Sequence, residues 1–171
     1  MFLFACLVSC RQCIPETEEP VAQANVPVQT EVLPSWMVVN KNIAEGYVSY
    51  SSSNIPFDTV APLNVFPFVV KDTNGGSGMF VLVTLNRYDM LYVGQLNVSD
   101  EAGYAVTAEY VNDISIKAHS ESHLFMINEK DLPFFRDKRS LRFNIWGIYG
   151  SVYLKLDTTQ TANVVYLATM I

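Results

Sequence analysis

The sequence predicts an all-β fold, an antiparallel β-sandwich or partly closed barrel of about nine or ten strands that follows a disordered N-terminal tether. Three observations lead there. From Trp36 onward, short runs rich in Val, Ile, Phe and Tyr alternate with turn residues, the rhythm of strands and hairpins. No segment holds an apolar stripe at helical period long enough to predict a helix. The three cysteines stand at positions 6, 10 and 13, so a folded part beginning at Trp36 must be held by packing, not by disulfides or a cysteine metal site.

Residues 1–9 form an apolar run that ends in Leu7-Val8-Ser9-Cys10 and gives way at once to polar, acidic residues. The run is far shorter than the roughly 20 residues that cross a bilayer as a helix. The tetrad resembles the lipobox of bacterial lipoproteins. That resemblance implies a signal peptide cut before Cys10, a Cys10 thiol that carries the lipid, and a chain held at the cell envelope with its domain in the periplasm or at the cell surface. No Lys or Arg precedes Arg11, a departure from the basic start of an ordinary signal peptide. Palmitoylation of Cys6, Cys10 and Cys13 is the alternative use of these thiols.

Residues 10–35 read as a lipidated linker. Pro15, Pro20, Pro27 and Pro34 recur among Glu, Gln, Thr, Ala and Val, a composition that buries too little apolar area to offset the entropy of ordering. At about 3 Å per residue in polyproline II geometry, such a segment reaches several tens of Å from its anchor. Residues 36–171 are then a single all-β domain of ordinary size.

Within the domain, residues 79–85 and 90–96 flank a short connection and are expected to pair as a hairpin. Residues 114–118 with 124–127, and 143–148 with 152–156, read as two further hairpins. Outer strands are expected at 47–50, 65–70, 104–110 and 164–168. Pro67 cannot donate to a ladder and should mark an edge or a bulge. Phe66, Phe68, Phe80, Phe143 and Trp146 are assigned to the core; Tyr47, Tyr50, Tyr104, Tyr110, Tyr149 and Tyr153 are the candidates for an exposed stacking face for sugars.

The loop Asp72-Thr-Asn-Gly-Gly-Ser-Gly78 has oxygen ligands and glycines, yet Ser77 and Val83 stand where a calcium loop needs Gly and Glu. No Gly-Lys-Ser/Thr leads into a helix either, so a phosphate loop is excluded. A hairpin connection remains. Gly75-Gly76-Ser77-Gly78-x-Phe80 and the later Ile114-Ser-Ile116 strand resemble small uncharacterised envelope lipoproteins, a likeness too permissive to transfer any active residue.

The net charge is −6, about half of it on the linker. No basic surface is concentrated enough to release counterions from a phosphate backbone, which excludes nucleic acid as a partner. His119-Ser-Glu121-Ser-His123 contains both histidines of the chain. On an extended strand His119, Glu121 and His123 would share a face and could converge on a cation such as zinc; a polar turn from which the three diverge is the favoured reading, and no cofactor is assigned. No Gly-x-Ser-x-Gly elbow or further histidine supports nucleophilic catalysis.

Residues 132–142 gather Arg136, Lys138, Arg139 and Arg142 beside Phe134 and Phe135. These are the candidate contacts to an anionic lipid surface or a partner, against a simpler reading in which a charged loop tip covers two tucked phenylalanines. The functional expectation is a lipid-anchored envelope protein with a binding or assembly domain, its partner another envelope protein or a glycan. The alternatives are a metal- or carboxylate-dependent envelope hydrolase and a surface subunit of a secretion or appendage complex.

Overall fold

The computed structural model describes residues 32–54, 57–58, 62–86 and 91–171. Cys10, the residues before it and nearly all of the 10–35 linker lie outside the described residues, as do residues 87–90. Contacts divide the chain into Met1–Val32 and Leu33–Ile171, and the second unit is the all-β fold.

Ten strands follow in order: β1 Met37–Asn42, β2 Tyr47–Ser52, β3 Phe57–Asp58, β4 Leu63–Asp72, β5 Ser77–Leu85, β6 Val93–Asp100, β7 Ala105–Lys117, β8 Ser120–Ile127, β9 Leu141–Gly147 and β10 Gly150–Lys155. A 3-10 helix, Glu129–Phe135, precedes β9, and an α-helix, α1 Thr158–Ala168, follows β10. The spatial order is β1-β2-β4-β5-β8-β7-β6-β9-β10, with β3 beside β4, and the pairing is antiparallel throughout. The sheet is not closed.

β7 joins the two halves of this sheet. Its first residues, Ala105–Ala108, pair with β6, and Glu109–Lys117 pair with β8 through register shifts at Tyr110/Asn112 and Asp113/Ser115. Bulges bend a strand and increase its twist, and both lie in the part of β7 that pairs with β8. The halves still share one core. β4 buries Leu63, Val65 and Val69, β5 buries Met79, Val81 and Val83, and β9 buries Leu141, Phe143 and Ile145, the period-two alternation of strands with one wet face.

Several expectations are corrected. Residues 79–85 and 90–96 do not form a hairpin: β5 pairs with β4 and β8, while β6 pairs with β7 and β9. Both edges of β5 are occupied, so the chain crosses to the other half of the sheet. Pro67 lies on an interior strand opposite Val81, but pairing toward β2 stops at Phe68 and resumes with β3 at Asn64, and proline stands in that gap. The stretches expected at 104–110 and 114–118 are parts of one strand, β7, which runs from Ala105 to Lys117.

Residues 164–168 are helical, not extended. Asp157 accepts from the Gln160 backbone N–H at 2.7 Å and the Gln160 side chain accepts from the Asp157 N–H at 3.1 Å, a reciprocal capping box. Thr161, Val164, Leu167 and Ala168 then fall on one buried stripe. α1 lies against β2, β4 and the 3-10 helix, and Asn163 donates to Ser52 Oγ at 2.9 Å in a buried contact. Of the five aromatics assigned to the core, Phe143 is fully buried and Trp146 is 49 % exposed. Phe66, Phe68 and Phe80 are half-buried on the opposite face of β4 and β5, where Phe68 stacks on Phe80 at 5.6 Å.

Within Asp72–Gly78, residues 73–76 are the β4–β5 hairpin connection, Asp72 ends β4, and Ser77 and Gly78 open β5. Asp72 Oδ1 accepts from the N–H groups of Asn74 and Gly76 at 2.7 and 2.9 Å, so its carboxylate is spent on the turn. Gly75 takes a φ of 91°, a conformation open to glycine at no steric cost.

Candidate functional site

Strand β8 alternates exposure along its length, and Glu121, His123 and Phe125 all point to its buried face. Glu121 and His123 are each 1 % exposed, an arrangement that polar side chains tolerate only when their hydrogen bonds are made. They are made. His123 Nε2 meets Glu121 Oε2 at 2.9 Å and His123 Nδ1 meets Asp113 Oδ1 at 2.6 Å. The imidazole is thus held at both ring nitrogens between two carboxyl groups. Tyr110 donates its hydroxyl to the same Asp113 oxygen at 2.5 Å. That bond, first among the causes, holds the Asp113 carboxyl below its ordinary value and raises the Tyr110 phenol to about 12.

The other end of the chain of contacts is backbone. Glu121 accepts from the N–H of Leu91 at 2.6 Å and of Val93 at 3.3 Å. Its carboxylate therefore fixes the point at which the crossover from β5 enters β6. Tyr92, between those two residues, has a φ of 49°, the left-handed region that few non-glycine residues occupy. Its ring lies half exposed against Tyr149, edge-on at 5.7 Å. Gly147 completes the fit, since a Cβ there would stand 2.1 Å from the Leu91 carbonyl oxygen.

Of the three candidate metal ligands, Glu121 and His123 are brought together on one strand face and His119 is not. His119 has a φ of 67° in the two-residue turn between β7 and β8, whereas Glu121 and His123 are on β8. The polar turn expected over 119–123 is confined to its first residue and Ala118. Both nitrogens of His123 and both oxygens of Glu121 already have partners, and among the described residues no three His, Cys, Asp or Glu side chains are grouped to hold a metal. The cluster works as an internal latch: its side chains satisfy one another in the interior and hold the crossover.

The second site is the outer face of β6, β9 and β10. Arg142, Asn144 and Trp146 alternate outward along β9 with Phe143 and Ile145 inward. Tyr153 is opposite Asn144 on β10, and Asn97 is opposite it on β6. Trp146 is 49 % and Tyr153 62 % exposed. Asn144 donates to Ser99 at 2.9 Å, Gln95 donates to Asn97 at 3.2 Å, and the Arg142 guanidinium lies 5.0 Å over the Tyr153 ring. The result is an exposed aromatic and amide surface.

The candidate contact residues 134–142 divide. Phe135 is 1 % exposed and Phe134 packs against the core, edge-on to Phe135 at 5.3 Å with Lys138 Nζ 4.7 Å above its ring. Lys138 also binds Asp100 at 2.6 Å, and this hydrogen bond lowers the Asp100 carboxyl below its ordinary value. Arg136 and Arg139 are exposed on the loop. Phe135 is buried and Phe134 half-buried beneath the loop, and Arg142 belongs to the outer face of β9. Among the tyrosines proposed for a stacking face, Tyr104, Tyr110, Tyr149 and Tyr153 are exposed, but Tyr153 alone shares a sheet face with Trp146. Comparison with protein-family models, curated proteins and solved structures finds no match to this chain.

The Asp113–His123 contact was invisible in the sequence because it is set by a bulged register. Trp146 was missed as a surface residue because β-strand aromatics default to the core. A signal was present: Arg142, Asn144 and Trp146 alternate strictly with Leu141, Phe143 and Ile145, the pattern of a strand with one polar face.

Proposed function

We propose that this chain is a lipid-anchored protein of the bacterial cell envelope whose β domain is a binding module. The surface of β6, β9 and β10 carries the binding half of the reading: two large aromatics stay exposed on a sheet face among amide and hydroxyl groups, where burial would have been the favourable use of their area. Leu7-Val8-Ser9-Cys10 supports the anchor. No helix of the described residues is long and apolar enough to cross a membrane. The latch offers a hydrolase no open imidazole, since His123 is 1 % exposed and engaged by carboxyl groups at both ring nitrogens.

Labelling with a palmitate analogue, followed by mass analysis of the N-terminal peptide, tests the anchor. The acyl groups should reside on Cys10, and Cys10→Ser should leave an uncut, unlabelled precursor. An unmodified Cys10 in the native protein contradicts the reading.

A further inference from the structure

We propose that the outer face of β6, β9 and β10 binds a carboxylated oligosaccharide, a chain containing uronate-type sugars; this rests on the reading of the domain as a binding module. Charge points to this occupant. The chain has a net charge of −6, yet the outward positions of these strands carry no Asp or Glu and include Arg142 and Lys155. The cations sit at one end, on paired positions of β9 and β10. Trp146 is at the other end of β9, about 13 Å away by strand rise.

Between them lie groups suited to sugar hydroxyls. Asn97, Asn144 and Ser99 present amide and hydroxyl functions on adjacent strands, each able to donate and accept. Trp146 and Tyr153 are diagonal neighbours about 7–8 Å apart, so their rings can stack against the C–H faces of a single short chain. Arg142 lies over the Tyr153 ring, and its planar fork matches a carboxylate in two parallel hydrogen bonds. A protein partner would find no aliphatic side chain at these outward positions, and a phosphate surface would leave the aromatics without a role.

Titration calorimetry of the full-length protein tests this with hexagalacturonate and a hyaluronan hexasaccharide as acidic probes and maltohexaose as the neutral one. Both acidic probes should bind with an affinity that falls as salt rises. Trp146→Ala and Tyr153→Ala should each weaken binding roughly tenfold. Arg142→Gln should reduce acidic-probe affinity to the level of maltohexaose. Emission from Trp36, half-buried and edge-on to Tyr166 at 5.6 Å, reports the fold in the Trp146→Ala variant. Absence of binding by the acidic probes, equal binding of maltohexaose, or full affinity in a folded Trp146→Ala protein overturns the proposal. In each of those cases, hydrogen exchange of the full chain on isolated envelope fragments separates the two claims. Protection of β6, β9 and β10 there leaves the binding module standing with a different ligand, and no protection removes both.

Discussion

Replacing Glu121 by alanine should remove much of the domain's stability. The carboxylate is 1 % exposed and holds three contacts: Leu91 N–H at 2.6 Å, Val93 N–H at 3.3 Å and His123 Nε2 at 2.9 Å. A buried polar group left without its partner costs about 1–3 kcal/mol, and Glu121→Ala strips the partner from all three. Costs within one network do not simply add, and a total of about 3–5 kcal/mol is expected. Against a typical domain stability of about 5–15 kcal/mol this is a large fraction. Glu121→Gln keeps one acceptor oxygen but turns an amide N–H toward a donor, and should cost about 1–3 kcal/mol. Urea unfolding followed by circular dichroism and extrapolated linearly to water measures both. A Glu121→Ala protein within about 0.5 kcal/mol of the parent, the range of surface substitutions, would refute the latch.

Gly147→Ala places a methyl group 2.1 Å from the Leu91 carbonyl oxygen, a backbone atom that Glu121 helps to fix, and should lower stability by about 3 kcal/mol or more in the same assay; a neutral result would mean that the crossover is free to shift. Asp157→Ala removes the acceptor of the capping box and should cost about 1 kcal/mol, with an unchanged midpoint showing that packing alone sets α1. Asp100 and Asp113 have carboxyl groups lowered from 3.8, so their contribution is present above that pH and is lost as pH falls through the lower folded values, read as a falling urea midpoint. The Tyr110 phenol is raised from 10.0 to about 12, so its contribution is full below pH 10 and lost as pH approaches 12. Tyr110→Phe should accordingly delete one late-titrating tyrosinate from the ultraviolet absorbance, and deletion of an ordinary one would contradict the Tyr110–Asp113 bond.

The fold class was legible because strands write a period of two into the sequence: β4, β5, β8 and β9 each show it. Hairpins with short connections were legible for the same reason, as in β9–β10. The β5–β6 crossover was not, since a connection of hairpin length carries no information about whether the edge beside it is already occupied. α1 was hidden by Val164-Val165-Tyr166-Leu167, a β-branched and aromatic run of strand propensity. Asp157-Thr-Thr-Gln160 before it was the countervailing helix start, and tertiary burial of Val164 and Leu167 decided the outcome. At the candidate sites, Glu121 and His123 were visible as chemistry-bearing residues, but their partners Asp113 and Leu91 come from a bulged strand and a crossover. The aromatic face needed only the alternation along β9, which assigns Trp146 to the side opposite Phe143.

The central claim is that a module tethered through Cys10 engages its ligand with the outer face of β6, β9 and β10. Hydrogen exchange by mass spectrometry, comparing the full-length chain free and bound to isolated envelope fragments, tests it most directly. The account predicts slowed exchange in peptides covering Gln95–Ser99, Arg142–Trp146 and Ser151–Lys155, with β1 and the 3-10 helix unchanged. Protection confined to β1, or to the loop carrying Arg136 and Arg139, would contradict it.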